Sequence, residues 1–208
     1  MITRKTTPAE EPRAAELFAI AFEQPLDRSE APDPNFLCTH QRWASFDEHG
    51  SMMSTLSALA LSMRFDGNVC SCAGIGGVAT LPQYRRSGGI RECFRTMLPQ
   101  LYEQGCELSY LYPFSTAYYR RFGYENCVQR LNVSVDLSQL QPEPFSGSCR
   151  LNEASSPLKE EIRGIDACLE SRYNMAVQHT DSDYAWVLEQ APCSSLFYPK
   201  PMMITDYF

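Results

Sequence analysis

The chain has 208 residues, a formal net charge of −7 at pH 7, and 44% apolar and 21% charged residues. This composition excludes intrinsic disorder, and the excess of acidic residues disfavours binding to nucleic acid. No apolar run reaches the roughly 20 residues that a membrane-spanning helix needs. The first residues lead into Pro8 and acidic residues rather than an apolar segment. We therefore expect no signal peptide, no membrane contact and a cytoplasmic protein.

Nine cysteines without a secretory signal indicate reduced thiols, most of them buried. The histidines His40, His49 and His179 flank no cysteine pair at the spacing of zinc ligands. We therefore expect no metal. The acidic surface of such a protein favours small cationic partners, such as amines.

The first part of the chain predicts a capped helix followed by a pair of strands. Residues 7–10 (TPAE) have the form of a capping box at a helix start. Residues 52–64 and 69–81 have the pattern of strands, and residues 65–68 (FDGN) between them predict a hairpin turn. The glycine-dense stretch 74–77 indicates a bulge or a close backbone approach in the second strand.

A basic, glycine-containing loop at residues 83–89 then leads into a predicted helix. Apolar residues recur from Ile90 to Leu101 at the spacing of one helical face, with Gly105 as the C-cap. Pro99 lies inside this pattern and predicts a kink or local unwinding. Further on, the pattern predicts a strand at 108–112, a short helix at 115–122, a strand at 128–137 and a helix at 158–168.

The strand, loop and helix around residues 83–91 form a pattern typical of an anion site. Free N–H groups at the helix start, the positive end of the helix dipole and the guanidiniums of Arg85 and Arg86 would meet there. Gly88 and Gly89 would let a diphosphate approach the backbone without a Cβ in the way. Alternatively, Arg85 and Arg86 lie in a solvated surface loop and bind no ligand.

Two familiar nucleotide motifs are excluded by their context. The loop lacks the Gly-Lys-Ser/Thr ending of an ATP-hydrolysing P-loop. Residues 74–79 match the dinucleotide fingerprint GxGxxA, but Thr80, Leu81 and Pro82 follow where its helix should begin. The glycines at 74–77 are therefore interpreted as part of a strand.

Residues 77–91 (GVATLPQYRRSGGIR) resemble motif A of the GNAT N-acetyltransferases, in the form of their Eis-type (enhanced intracellular survival) branch. Three further stretches fit that branch in order and spacing: 44–50 (ASFDEHG), 112–115 (YPFS) and 118–124 (YYRRFGY). The resemblance covers residues 1–137 and is specific, because all of these motifs lie in register.

The resemblance implies an α+β (αβα) fold of the acyl-CoA N-acyltransferase type, in which one bulged strand of a mixed central sheet splays from its neighbour. We expect this GNAT domain at 1–137, a linker at 138–150 and a partial second GNAT-like lobe at 151–208. Eis-type proteins are longer and have a complete second lobe, so we expect a truncated chain. Apolar surface exposed on an incomplete lobe would favour a homo-oligomer.

The resemblance implies an acetyl-CoA-dependent N-acetyltransferase. It would move the acetyl group to a primary amine of a small cationic substrate, such as an aminoglycoside or polyamine, by direct attack in a ternary complex. The backbone of Val78, Ala79 and Thr80 would pair with the pantetheine arm, which Phe114 and Ser115 would flank. The pyrophosphate would lie against Arg86, Ser87, Gly88, Gly89, Ile90 and Arg91.

Tyr119 matches the family's proton donor to the departing CoA thiolate. A phenol with a reference pKa of about 10 is protonated at neutral pH and can supply that proton. Its neighbour Tyr118 could equally be the residue that faces the cleft. Alternatively, Tyr119 could simply be an aromatic residue of the core. The aromatic residues Phe22, Phe36, Trp43 and Phe46 could line an amine pocket through cation–π contacts, or could simply pack beneath a loop.

The sequence leaves the general base open. The candidates are carboxylates in acidic loops, Asp27, Glu30, Asp47 and Glu48, and the histidines His40 and His49, although surface positions explain each equally well. Two alternatives to an enzyme also stay open. The chain could be a catalytically incompetent CoA-binding module left by C-terminal truncation, or an interaction domain whose arginine loop is only surface.

Overall fold

The computed structural model describes residues 1–24, 40–128, 134–140, 150–151, 158–181 and 196–197. The chain forms two compact units, Met1–Met63 with Val69–Cys127 and Arg64–Asn68 with Val128–Phe208. The domain division expected from the sequence, with its boundary after residue 137, stays a prediction. Within the described residues, no helix is long and apolar enough to cross a membrane.

The first unit holds five neighbouring strands of a mixed sheet, in the order of the chain. They are β1 (Ile2–Lys5), β2 (His40–Phe46), β3 (Met52–Phe65), β4 (Asn68–Thr80) and β5 (Leu108–Leu111). β2 pairs antiparallel with both β1 and β3, whereas β4 and β5 run parallel. The predicted mixed sheet is confirmed.

The turn between β3 and β4 follows directly from its sequence. Asp66 has φ +48° and Gly67 has φ +78°. Positive φ at both central residues is the geometry of a type I′ turn, which matches the twist of a two-stranded hairpin and favours Asp-Gly. The predicted hairpin at 65–68 is confirmed.

Three helices of the first unit follow the predicted pattern. α1 (Glu11–Phe22) begins after the capping box, in which the Thr7 N–H donates to the Glu10 carboxylate at 2.8 Å. α2 (Gly89–Glu103) continues through Pro99, and Gly105 with φ +83° follows its end. α3 (Thr116–Tyr119) continues as the 3-10 turn Arg120–Phe122, which ends at Gly123.

The main apolar core lies between α2 and the sheet. Cys93, Phe94 and Met97 of α2 are buried in one cluster with residues of β2, β3 and β4 that include Trp43 and Leu56. Each fully buried large side chain contributes about 1.5–3 kcal/mol by leaving water. The buried face therefore fixes α2 along its length, and its first turn is held at the end of β4.

The second unit includes α4 (Leu158–Arg172) and the short strands β6 (Arg150–Leu151), β7 (Ala176–Gln178) and β8 (Leu196–Phe197). β6 pairs antiparallel with β8. The predicted strand at 128–137 is wrong at its described end, because Leu137–Gln139 form a 3-10 turn. The Asp136 carboxylate accepts the Ser138 N–H at 2.9 Å, which closes that turn locally.

Candidate active site

β5 pairs with only the middle of β4 and ends before β4 does. The two strands pair from Cys72–Leu108 to Ile75–Leu111. Two residues later Gly77 has φ +58°, a left-handed conformation that glycine adopts at no steric cost. β4 stays attached on its other side, where the Ser57 hydroxyl donates to the Gly76 carbonyl at 3.1 Å. The last residues of β4 therefore present a backbone edge beyond the end of β5.

The loop after β4 is folded tightly before α2 begins. Arg86 has φ +69° and Gly88 has φ +89°. The Ser87 hydroxyl and N–H both donate to the Tyr84 carbonyl, at 2.6 and 3.2 Å. The Glu92 N–H donates to the Gly88 carbonyl at 3.1 Å, so the N–H groups ahead of it in the first turn have no acceptor within the helix. This helix start is suited to an anion.

Gly89 allows α2 to begin directly against the sheet. A Cβ at this position would lie 2.5 Å from both the Ser45 and the Ser54 hydroxyl oxygens. The Thr80 hydroxyl donates to the Ser54 oxygen at 2.9 Å, which ties the end of β4 to the same point. A side chain at this position would therefore have to displace the two serine hydroxyls or move the helix start away from β2 and β3.

The edge of β4, the loop and α2 form one side of a cleft of about 1280 Å³. It exceeds the roughly 300–1,000 Å³ of common small-molecule pockets. Its lining includes nine residues expected to hold the cofactor: Val78, Ala79, Thr80, Arg86, Gly88, Gly89, Ile90, Arg91 and Phe114. Among the described residues, five arginines but no acidic residue or histidine line it, so this part of the chain forms a basic cleft in an acidic protein.

The other two expected cofactor residues support the cleft from behind. Ser87 holds the loop through its two bonds to Tyr84. The Ser115 hydroxyl accepts the Tyr118 N–H at 3.4 Å and so caps α3. Neither serine is among the residues that line the cleft.

The two neighbouring tyrosines of α3 occupy different places. Tyr118 lines the cleft, whereas Tyr119 belongs to the main core and is only 4% exposed. The ring of Phe114, which lines the cleft, lies 5.3 Å from that of Tyr119 and 5.2 Å from that of Tyr118. Burial raises the pKa of Tyr119 to about 12. Its phenol is therefore protonated at any physiological pH.

The hydroxyl of Tyr119 keeps some access to solvent. Within the described part of the chain, no hydrogen-bond partner is found for it. The fully buried side-chain oxygens and nitrogens of that part are all paired except Ser45 Oγ. Because the Tyr119 oxygen is unpaired yet not among the fully buried atoms, part of its small exposed area lies at the hydroxyl.

Tyr118 is half-buried and has a charged neighbour. Burial raises its pKa, and the Arg121 guanidinium opposes part of that rise. Both side chains line the cleft. At its aromatic end, the cleft therefore has the half-buried Tyr118 in its lining, and Tyr119 lies next to it in the core.

The aromatic residues expected to form an amine pocket are dispersed. Phe22 lines the cleft, and its ring stacks on that of Phe18 at 4.4 Å. Trp43 is fully buried, and its indole N–H donates to the Gln100 side chain at 2.8 Å. Phe46 lies in a separate apolar cluster beneath the Arg4 guanidinium. Phe36 lies outside the described residues.

The candidate bases among the described residues do not line the cleft. The Asp47 carboxylate accepts hydrogen bonds from the N–H groups of His49 and Ser51 and from the Tyr84 hydroxyl, and the Ser51 bond is the largest cause of its lowered pKa. Glu48 and His49 are exposed at the same turn. None of these, nor His40, lines the cleft, and Asp27 and Glu30 lie outside the described residues.

The thiol nearest the helix start is unsuited to covalent acyl transfer. Cys93 is fully buried in the core, and burial raises its pKa to about 12. A nucleophilic cysteine needs an exposed thiolate, which this environment disfavours. Among the described residues, no group of three or more metal-binding side chains is found.

Several cleft residues were missed by the motif analysis. Arg95, Leu98 and Pro99 of α2 and Arg121 and Phe122 after α3 line the far end of the cleft. Arg91 and Arg95 are spaced i, i+4, which places them on one helix face and was the available signal. Arg121 and Phe122 carried no such signal, because only the packing of their turn against α2 brings them to the cleft.

The sequence profile of the acetyltransferase (GNAT) domain family matches residues 3–127. No curated protein matches the chain in sequence. Its fold is similar to that of a protein of Enterococcus faecalis described as a probable N-acyltransferase, with 23% identity and a TM-score of 0.72 over 95% of this chain and 51% of the other. The chain thus spans about half the length of that protein.

Two further solved structures share the fold. Eis1 from Mycobacterium abscessus is 17% identical with a TM-score of 0.63, over 95% of this chain and 51% of its own. A predicted acetyltransferase from Clostridium acetobutylicum, solved with acetyl-CoA, is 12% identical with a TM-score of 0.51, over 64% and 95%. The match over residues 3–127, more than half of the chain, shows that the chain belongs to the GNAT acetyltransferase family.

Proposed function

We propose that the protein binds acetyl-CoA in this cleft and transfers its acetyl group directly to a primary amine of a small cationic substrate. The main observation behind the proposal is that the edge of β4, the arginine loop and the start of α2 form one continuous surface of the cleft. The free edge of β4 leads through the arginine loop into the unsatisfied N–H groups of the α2 start. Such a surface suits a long ligand with an amide-bearing arm and a diphosphate.

The residues of the cleft fit acetyl-CoA in shape and charge. At Gly88 a Cβ would lie 3.1 Å from an Arg91 nitrogen, so a larger residue would enter the space in which a phosphate would approach the backbone. Arg85, Arg86 and Arg91 line the same region and complement the diphosphate. The volume of about 1280 Å³ accommodates a nucleotide-bearing ligand.

When bound, acetyl-CoA supplies an acetyl group activated as a thioester. The backbone of Val78, Ala79 and Thr80 would orient the pantetheine arm as an added strand. N–H groups of β4 near Gly77 would stabilise the negative charge that develops on the acetyl oxygen. Tyr119 would hold a proton at its hydroxyl for the departing sulfur, with Ser115 and Phe114 positioning the tyrosine turn.

The proposed substrate class is a small cationic amine, such as an aminoglycoside or a polyamine. Phe22 lines the cleft and is 47% exposed, so its ring is available for a cation–π contact. The amine must lose a proton before it attacks. None of the described cleft-lining residues carries a carboxylate or an imidazole that would accept it.

This last observation favours a second candidate function, a module that binds CoA without catalysis. Both functions share the cleft and Tyr119, so they differ only in turnover. Release of the CoA thiol is the decisive measurement, with acetyl-CoA and a panel of polyamines and aminoglycosides. Amine-dependent release supports the enzyme, binding without release supports the second function, and absence of binding contradicts both.

The expected homo-oligomer and cytoplasmic location remain proposals. Sedimentation at tens of micromolar protein tests the first. A species of more than one chain supports self-association, and a single monomeric species contradicts it.

A further inference from the structure

The cleft contains more positive charge than a diphosphate site requires. Arg85, Arg86 and Arg91 lie at the loop and the helix start. Arg95 and Arg121 line the same cleft farther on, outside the residues expected to hold the pyrophosphate. This second pair needs a separate explanation.

The packing of two aromatic rings places the turn that contains Arg121 against α2, which contains Arg95, and both arginines line the cleft. Phe94 of α2 and Phe122 stack with ring centroids 4.2 Å apart and an interplanar angle of 16°. Each arginine is the sequence neighbour of one of these rings. The stacked pair therefore holds the Arg121 turn opposite the second turn of α2.

The position of Arg95 along α2 suits a group attached near the diphosphate. Arg95 lies six residues after Gly89, which corresponds to a rise of roughly 9 Å. Helical side chains lean towards the N-terminus of their helix, so the Arg95 guanidinium reaches back towards the loop. A phosphate joined to the diphosphate through one ribose would meet it there.

The positive charge of Arg95 and Arg121 is left available for a ligand. Glu92 is shared between Arg91 at 3.3 Å and Arg95 at 3.6 Å, so one carboxylate faces two guanidiniums. No carboxylate partner of Arg121 is found among the described residues. Its neighbour Arg120 is paired with Glu125 at 2.8 Å and does not line the cleft.

We infer that Arg95 and Arg121 form a subsite for the phosphomonoester on the ribose of acetyl-CoA. The subsite makes the protein select CoA over its 3′-dephospho form. This inference rests on the proposed function, since it assigns a further part of the same ligand. A phosphomonoester carries a charge of about −1.5 to −2 at neutral pH and offers three acceptor oxygens, which suits a pair of guanidiniums that line one cleft. Leu98 and Pro99 line the adjoining apolar surface, available to the adenine.

Calorimetric titration with acetyl-CoA and with acetyl-3′-dephospho-CoA tests the inference. We expect the wild type to bind the 3′-phosphorylated form about 10- to 100-fold more tightly, as is typical of hydrogen bonds to charged groups. Arg121→Gln and Arg95→Gln should each remove most of this preference and leave the affinity for the dephospho form unchanged. Arg120→Gln is the matched control, because its charge loss is identical but lies outside the cleft.

The outcomes separate this inference from the proposed function. Equal affinity of the wild type for both ligands overturns the subsite and leaves acetyl-CoA binding intact. A loss of affinity for both ligands in Arg121→Gln and Arg95→Gln also overturns it, because the arginines would then support the cleft generally. Failure of the wild type to bind either ligand overturns the proposed function and the subsite together.

Discussion

The two walls of the cleft are built by different means. The backbone wall, residues 78–80 and 85–91, consists of a strand edge, a glycine-containing loop and a helix start. The aromatic wall, residues 114–122, consists of side chains on a short helical turn. The first is fixed by the close contact of Gly89 with β2 and β3, and the second by ring packing on Phe94. We infer that the backbone wall binds most of the cofactor, and that the aromatic wall supplies the proton as well as further contacts to the cofactor.

The largest effect is expected on the aromatic wall, from Tyr119→Phe. The substitution keeps the ring that packs against Phe114 but removes the proton, so kcat should fall about 100-fold, as for loss of a general acid. Steady-state thiol release measures this, and the affinity for acetyl-CoA should stay the same. Tyr118→Phe is the matched control and should leave kcat within a few-fold. The reverse pattern would transfer the proton-donor role to Tyr118.

The next largest effect is expected on the backbone wall, from Gly89→Ala. The new Cβ would lie 2.5 Å from the Ser45 and Ser54 oxygens, so the two hydroxyls or the start of α2 must shift. Overpacking of this kind costs about 1–3 kcal/mol of the free energy of unfolding. Acetyl-CoA affinity should fall with it. Chemical denaturation and calorimetry measure the two effects.

Gly164→Ala is the control for that substitution. Gly164 lies within α4, and nothing lies within 4 Å of the position that its Cβ would take. Alanine is favoured over glycine in a helix by about 1 kcal/mol, so this variant should be slightly more stable than the wild type. Equal destabilisation by the two substitutions would contradict the close contact at Gly89.

A smaller effect is expected from Ser115→Ala. Loss of the cap on the Tyr118 N–H costs about 0.5–2 kcal/mol of stability. Because α3 carries both tyrosines, kcat should fall while the affinity for acetyl-CoA stays close to that of the wild type. Thermal unfolding and thiol release check the two expectations. A loss of affinity without a change in kcat would indicate that Ser115 contributes to the binding of acetyl-CoA and not to catalysis.

The smallest effect is expected in the pH dependence. Burial raises the pKa of Tyr119 to about 12, so the neutral, proton-bearing form persists to higher pH than for a free phenol. We expect kcat to show no descending limb up to about pH 10, the reference pKa of tyrosine. Pre-steady-state or steady-state rates at saturating substrates check this. A fall in kcat centred at or below that pH would contradict the buried donor.

The backbone wall was largely predictable from the sequence. Its glycines and arginines are local signals, because a left-handed residue at Gly88 and a helix start need no distant partner. The contact of Gly89 with Ser45 and Ser54 was not predictable, since these residues meet only when β2 and β3 pair beneath α2.

The aromatic residues were harder to place. Trp43 and Phe22 were grouped as a possible amine pocket, yet Trp43 is buried under α2 and Phe22 lines the cleft. An aromatic residue is compatible with a core or with a binding surface, and only tertiary packing distinguishes the two. Likewise, the stacking of Phe94 on Phe122 brings Arg121 to the cleft, and no spacing in the sequence encodes it.

Calorimetric titration of acetyl-CoA into the wild type, Gly88→Asp and Gly105→Asp tests the central claim most directly. Both glycines have left-handed backbones, with φ +89° and φ +83°, so aspartate strains each similarly, but only Gly88 lines the cleft. The account predicts binding by the wild type and Gly105→Asp, and loss of binding by Gly88→Asp, whose carboxylate would repel the pyrophosphate. Unchanged binding by Gly88→Asp, or none by the wild type, would contradict it.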